Sequence, residues 1–270
     1  MAEISLIGDT DGHILASRHE DIGVLTFNRP EKHNAMSTEM WDSLGEAMDL
    51  FEGDPSIRVV ILKGAGGKSF VSGSDIRQFE DNRSNAATFA QHKEAHDARR
   101  RKLFRFSKPR IASIKGWCLG GGLTIALAAD LRIAAKGSRL GIPAGRLGIP
   151  YGLLETRALL NVVGATHARM LLYTARNIDA QEAARIGLVN AVVEDNALEE
   201  STLQLARDIA RNAPMAIAAS KFVVDQLQKD PEARDLEQVR RQSAACLDSA
   251  DYAEGRRAFA EKRSPRFTGT

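Results

Sequence analysis

Two glycine-bearing corners, each carrying an apolar run into a helix, hold the residues of this chain best suited to chemistry. The first reads Lys68-Ser-Phe-Val-Ser-Gly-Ser-Asp-Ile-Arg77 and follows the run from Ile57 to Lys63. The second reads Trp117-Cys-Leu-Gly-Gly-Gly-Leu-Thr124 and follows Arg110 to Lys115. A helix that starts straight after a tight turn leaves its first N–H groups unpaired, with the positive end of its dipole behind them. Such an end attracts an anion. Two of them aimed at one point grip an oxygen on which negative charge develops. Gly73 opens a backbone conformation closed to other residues, so that Ser74 presents its N–H at the start of a helix from Asp75. Gly120, Gly121 and Gly122 in a row cost chain entropy, so that corner requires a close approach of backbone.

The other reactive side chains fit quieter roles. Asp75, at a helix start, reads as a cap. Asp130, which closes the helix after the glycine triplet, reads as structural. His92 and His96 share a helix face at metal-ligand spacing, but neither a third ligand nor an HExxH pattern accompanies them, so no metal is expected. Gly64-Ala-Gly-Gly-Lys-Ser69 invites a phosphate-loop reading, yet the position where that pattern needs its first glycine is Leu62. No GxSxG elbow is present, which disfavours a serine hydrolase. Trp117 reads as packing.

These corners must be positioned by strands and helices in alternation. Ile14 to His19 and Gly23 to Asn28 read as strands joined by a turn at Glu20 to Gly23. Ser37 or Thr38 caps a helix with Met40, Leu44, Ala47 and Met48 at helical spacing. Ile57 to Leu62, Ile111 to Ile114 and Leu131 to Ala135 read as buried strands, and 85–106 and Gly122 to Ala129 as helices. Extended runs followed by helices, repeated, predict an α/β chain with short parallel pairings wound as a ββα superhelix. Beyond Asp195, the stretches 198–212, 215–229, 231–248 and 251–262 all read helical. The expected division is a spiral core over 1–195 that holds the site, and a helical region over 196–270. The apolar faces of those helices cover the core or a neighbouring subunit.

Bulk properties narrow the function classes. The chain has 270 residues, 43% hydrophobic, 27% charged, with a net charge of +2. That is the composition of a soluble globular protein, and it gives no global ground for binding nucleic acid. The basic run Arg99 to Lys102 reads as a solvated helix face or a site for an anionic small molecule. Cys118 and Cys246 are too few for a disulfide framework and fit a reducing compartment. No apolar run approaches the ~20 residues of a membrane span, and the N-terminus lacks a signal-peptide apolar region. No membrane association and a cytoplasmic location are the expectation.

The pair of corners resembles the crotonase (enoyl-CoA hydratase/isomerase) superfamily, and the resemblance runs over almost the whole chain. Phe70-Val-Ser-Gly-Ser-Asp-Ile76 follows that family's Phe-x-x-Gly-x-Asp-hydrophobic pattern. The resemblance implies a crotonase-like fold and a coenzyme A thioester as substrate, with no further cofactor. It assigns the amides of Ser74 and Gly121 to an oxyanion hole, and Ser74, Asp75, Ile76, Arg77 and Gly121 to the lining of the acyl-CoA site. Asn28-Arg-Pro-Glu-Lys-His-Asn-Ala35 resembles the family's first CoA-contacting loop, with Lys32 and His33 beside the nucleotide end. Thr174 to Val189 matches its helix-then-strand stretch. Glu254-Gly-x-x-Ala-Phe-x-Glu-Lys-Arg263 matches its C-terminal signature, where Phe259 and Lys262 reach the CoA site, commonly that of an adjacent subunit. A homotrimer or dimer of trimers is implied in the same way.

Two positions depart from the pattern. Hydratases of the family hold water between two glutamates, and those positions read Thr124 and Ala144 here. Threonine takes up no proton near neutral pH, and alanine offers nothing. Ordinary hydration is therefore not expected, and isomerisation, decarboxylation, thioester hydrolysis or an atypical hydration remain. Tyr151, Glu155 and Arg146 are the nearby replacements, of which Glu155 also sits where it complements a helix dipole. The rival reading is a non-catalytic acyl-CoA binder or assembly subunit. A carboxylate, phenol or imidazole facing the Thr124–Ala144 pocket separates the two.

Overall fold

The computed structural model describes residues 12–75 and 98–270. In chain order these contain β1 (Ile14–His19), β2 (Ile22–Phe27), α1 (Thr38–Gly53), β3 (Val59–Gly64) and β4 (Ser69–Val71). A helical stretch over 98–104 precedes β5 (Arg110–Ile114), β6 (Trp117–Leu119), α2 (Gly121–Ala128), β7 (Leu131–Ala135) and β8 (Arg139–Gly141). Then come α3 (Leu153–Thr174), β9 (Asn177–Asp179), α4 (Ala180–Arg185) and β10 (Ala191–Val193). The chain closes with α5 (Leu198–Ala210), α6 (Pro214–Leu227), α7 (Leu236–Leu247) and α8 (Ala250–Glu261).

β1 and β2 pair antiparallel across a turn tighter than expected, with Glu20 at φ 56° and Ile22 already on the strand. Ser37 caps α1 by accepting the N–H of Met40, and Met40, Leu44, Ala47 and Met48 are all buried. The main sheet has the order β1-β2-β3-β5-β7-β10, parallel after the first pair. Its inner strands β2, β3, β5 and β7 are mostly buried on both faces, which is why they read as apolar runs. Leu25, Phe27, Val60, Leu62, Ala112 and Ile114 face a core shared with α1 and α2. Ile22, Val24, Val59, Ile61, Ile111 and Ile133 face Leu198, Ala206 and Ala210 of α5. The first helix beyond residue 195 thus packs across the sheet.

A second sheet, β4-β6-β8-β9, is built from strands of three residues each. β4, β6 and β8 run parallel, so the chain leaves β4 and β6 at the same end. Both glycine corners sit at that end.

The C-terminal helices differ from the expected bounds in one place. Pro231–Ala233 forms a short 3-10 turn, and α7 starts only at Leu236, capped by Asp235 accepting from Gln238. Lys221 of α6 pairs with Asp130, which also accepts the Arg110 N–H at 2.7 Å, so Asp130 is structural as expected. α7 buries no residue, and Leu227, Leu236, Leu247 and Tyr252 are exposed. Trp117 is not packed away: it is 39% exposed on β6. Among the described residues, no helix is long and apolar enough to cross a membrane.

Candidate active site

The two corners meet. Gly73 takes φ 124° after β4, and Gly120 takes φ 50° after β6. A Cβ on Gly122 would lie 1.9 Å from the Val71 carbonyl oxygen, so the triplet lets α2 start hard against β4. A Cβ on Gly121 would lie 3.2 Å from Ser74 Oγ and 3.5 Å from Ser74 N. Around Ser74 the backbone is pinned from one side: Met36 N donates to Gly73 O at 2.8 Å and Asp75 N to Met36 O at 2.9 Å. Neither Ser74 N nor Gly121 N donates to a backbone acceptor among the described residues. Two neighbouring, unspent amides of this kind can polarise one carbonyl oxygen.

The loop before α1 holds the first corner in place. Asn34 is fully buried, and its side-chain amide donates to Ala65 O, Ser69 O and Phe70 O at 3.1, 2.8 and 3.2 Å. Arg29 Nη1 meets Asp75 Oδ2 at 3.0 Å, so Asp75 is half of an ion pair that ties this loop to the corner. His33 is exposed with its Nδ1 3.2 Å from Ser69 Oγ, and Lys32 is exposed beside it. Ile76, Arg77, His92 and His96 lie outside the described residues.

Thr124, one turn into α2, is fully buried, and its Oγ1 stands 3.0 Å from the Tyr151 hydroxyl. Burial pushes the Tyr151 phenol up, and the charge of Glu155 adds to this, while the Thr124 bond and Arg100 oppose it. The phenol is therefore neutral at ordinary pH. Ala144 lies in the 3-10 turn Pro143–Leu147 and packs on the main core, with Pro143 Cδ 4.0 Å from where a Cβ on Gly120 would be. Glu155, in the first turn of α3, is 2% exposed and paired with Arg100, which lies over the Trp41 ring at 5.8 Å. It is therefore engaged by a specific cation as well as by the helix start. Arg146 is exposed.

Phe259, 88% exposed, and Lys262, at φ 55° on the α8 C-cap, sit at the far end of the chain. The signature around them is bonded to its own tail. Glu254 accepts from Arg257, from Arg263 at 2.6 Å and from the Arg266 N–H at 3.0 Å, while Asp251 accepts from Thr268 N and Gly269 N.

Residues 17–270 match the family Enoyl-CoA hydratase/isomerase. The chain belongs to that family. A short-chain-enoyl-CoA hydratase of Clostridium acetobutylicum is 34% identical over 93% of this enoyl-CoA hydratase/isomerase chain and 95% of its own. A carnitinyl-CoA dehydratase of Citrobacter koseri is 34% identical over 94% and 97%. The crystal structure of an enoyl-CoA hydratase/carnithine racemase from Magnetospirillum magneticum superposes with TM-score 0.91 at 36% identity, covering 96% of each chain. The crotonase-like fold expected for this family member is thus the fold observed.

Three residues of this family member escaped the sequence reading: Arg29, Asn34 and Arg100. Arg29 and Asn34 lie in the quoted loop but carry no local mark of what they hold. Arg100 is one of four consecutive basic residues, and only its burial against Glu155 separates it from Arg99 and Lys102, which pair with Asp42 and Asp49.

Proposed function

We propose that this chain is an acyl-CoA enzyme that holds a thioester enolate on the amides of Ser74 and Gly121 and protonates it from Tyr151. The observation that carries this reading is the 3.0 Å contact of the Tyr151 hydroxyl with Thr124 Oγ1, at one of the two positions where hydratases of the family keep a glutamate. A phenol and a threonine hydroxyl replace one carboxylate, and Ala144 replaces the other. Water between them would be neither deprotonated nor positioned by charge, so ordinary hydration is not the reaction.

A proton donor with no free base among the described residues fits chemistry that makes its own carbanion. Decarboxylation of a 2-carboxyacyl thioester meets that condition. The Cα–carboxylate bond breaks, its electron pair enters the enolate, and carbon dioxide leaves. The Tyr151 proton passes to Cα, and a proton from solvent restores the phenol. Isomerisation and hydration both need a base to take a proton, and among the described residues none is free beside Thr124 and Ala144. The coenzyme A end rests on Lys32 and His33, and on Phe259 and Lys262 of a neighbouring subunit in a homotrimer or dimer of trimers. The uncovered apolar side chains of α6, α7 and α8 support that assembly.

The test is a panel of acyl-CoA thioesters, saturated, 2-enoyl and 2-carboxyacyl, with products followed by mass spectrometry. Loss of 44 mass units from the 2-carboxyacyl members alone is the expected result. Binding without any turnover would support the reading as an acyl-CoA binder.

A further inference from the structure

Glu155 is a buried carboxylate whose Oε2 lies against Gly152, the residue after Tyr151, and it invites the role of a general base. Its surroundings argue otherwise. One oxygen, Oε1, is taken by Arg100 Nη1. The other, Oε2, is tucked under the turn before α3, so close that a Cβ on Gly152 would lie 2.1 Å from it. One carboxylate oxygen is thus committed to a guanidinium, and the carboxylate, with Arg100 on it, packs against Gly152, the residue that follows Tyr151.

Arg100 is held by two contacts and largely buried. Glu155 takes one guanidinium nitrogen, the Trp41 ring lies beneath at 5.8 Å, and the side chain is only 16% exposed. Its Nε–H is buried without a partner, so the guanidinium keeps one donor unspent. A buried ion pair costs about as much in desolvation as it returns in attraction, so stability alone gives little reason for one here. The groups whose charges or hydrogen bonds act on the Tyr151 phenol are Thr124, Glu155, Arg100 and Cys118, from four separate elements. Of these, only Arg100 brings positive charge. A phenol that gives up its proton becomes a phenolate, and in a partly buried pocket that negative charge is poorly solvated.

We infer that Arg100 and Glu155 are positioning residues for Tyr151: Glu155 tethers the Arg100 guanidinium beside the phenol, and the guanidinium offsets the charge that Tyr151 acquires on donating its proton. This inference rests on the proposed role of Tyr151 as proton donor. It makes Glu155 a positioning residue, not the carrier of the proton. It also gives a use to a basic residue that lies one position from the surface pairs of Arg99 and two from that of Lys102.

The experiment uses Arg100→Gln, Glu155→Gln and the double variant, in the full chain, with two readouts. The first is turnover of whichever thioester the wild type consumes. Each single variant lowers kcat by about 10-fold or more with KM within about threefold, because the loss falls on the proton-transfer step. The double variant regains a large part of the lost kcat, since no lone charge is left buried beside the phenol. The second readout is the ¹³Cζ resonance of tyrosine-labelled protein, with the Tyr151 signal identified by its absence in Tyr151→Phe. It moves in both single variants and returns towards the wild-type position in the double variant. Glu155→Gln as damaging as Tyr151→Phe, with no recovery in the double variant, would make Glu155 the proton carrier and overturn the inference. A Tyr151 signal unmoved in both single variants would overturn it as well. Absence of any turnover in the wild type would defeat the proposed function, while the resonance still decides whether the pair acts on Tyr151.

Discussion

Gly121 stands with its side-chain position turned onto Ser74, where a Cβ would reach within 3.5 Å of the Ser74 amide nitrogen and 3.2 Å of its hydroxyl. The two corners, 47 residues apart in sequence by their numbers, are thereby adjacent at the point where both amides are unspent.

Gly121→Ala places a methyl group between those amides. Gly121 has an ordinary helical backbone, so the fold tolerates the change, while kcat/KM falls by ~10²-fold or more as the carbonyl loses its seat. Gly122→Ala is the contrast: its methyl meets the Val71 carbonyl at 1.9 Å, and the cost falls on stability. Thermal unfolding and steady-state kinetics on both variants separate the two effects. A Gly121→Ala enzyme as active as the wild type would sink the oxyanion assignment.

Tyr151→Phe removes the hydroxyl and nearly nothing else. Loss of a general acid lowers kcat by ~10²–10⁴-fold, with the phenylalanine ring still filling the space. Because burial raises the phenol above its ordinary value of 10.0, the protonated donor persists through that pH and the rate shows no alkaline limb from Tyr151 below it. The same shift has a stability consequence. Above about pH 10 the unfolded chain releases the tyrosine proton while the folded one keeps it, so folding stability contributed by this group falls as pH rises. Chemical denaturation of wild type and Tyr151→Phe at pH 8 and pH 10.5 checks the sign.

Crotonyl-CoA hydration by the wild type is slow, well below the roughly 10 s⁻¹ of an ordinary enzyme. Restoring glutamates at Thr124 and Ala144 raises it only where the Tyr151 hydroxyl is also removed, because that hydroxyl occupies the space at 3.0 Å from Thr124 Oγ1. The triple variant Thr124→Glu/Ala144→Glu/Tyr151→Phe is therefore the more active hydratase than the double. Ordinary hydratase rates in the wild type would refute the reading.

Glu254→Gln loosens the C-terminal tail. Three arginines bond this carboxylate, by side chain or backbone, and hold its pKa well below the ordinary 4.5. A depressed carboxylate contributes stability that is present above pH 4.5 and fades as pH falls towards the folded value. The melting temperature of Glu254→Gln is lower than wild type at pH 7, and the gap narrows at pH 4. Equal gaps at both pH values would contradict the assignment.

Light scattering at micromolar concentration gives a trimer or a dimer of trimers. Deleting residues after Asp248 removes α8 with Phe259 and Lys262, and lowers both assembly and acyl-CoA affinity. A monomeric wild type would contradict this.

What could be read from sequence followed the range of the interaction. Ser37 and the Met40, Leu44, Ala47, Met48 stripe were legible because a cap and a 3.6-residue period are written within one helix. β4, β6, β8 and β9 were not, since three residues are too few to show a period and their pairing joins distant stretches. At the site, the glycine triplet announced a close approach but not its partner, Val71. The ion pair of Asp75 had no local mark, because its arginine is 46 residues away. Tyr151 was on the short list of replacements, and the structure adds its contact with Thr124, 27 residues distant. Arg100 had no signal of its own in a run of four like charges.

The meeting of Ser74 and Gly121 has a consequence for how this chain changes over time. The proposed grip on a carbonyl is made of main chain, so almost any single side-chain replacement would leave it standing. On the function proposed above, the groups that choose the reaction are side chains, Thr124, Ala144 and Tyr151, each replaceable without disturbing that grip. A lineage built this way can abandon one chemistry and acquire another through a handful of mutations, never passing through an intermediate that has lost its hold on the thioester.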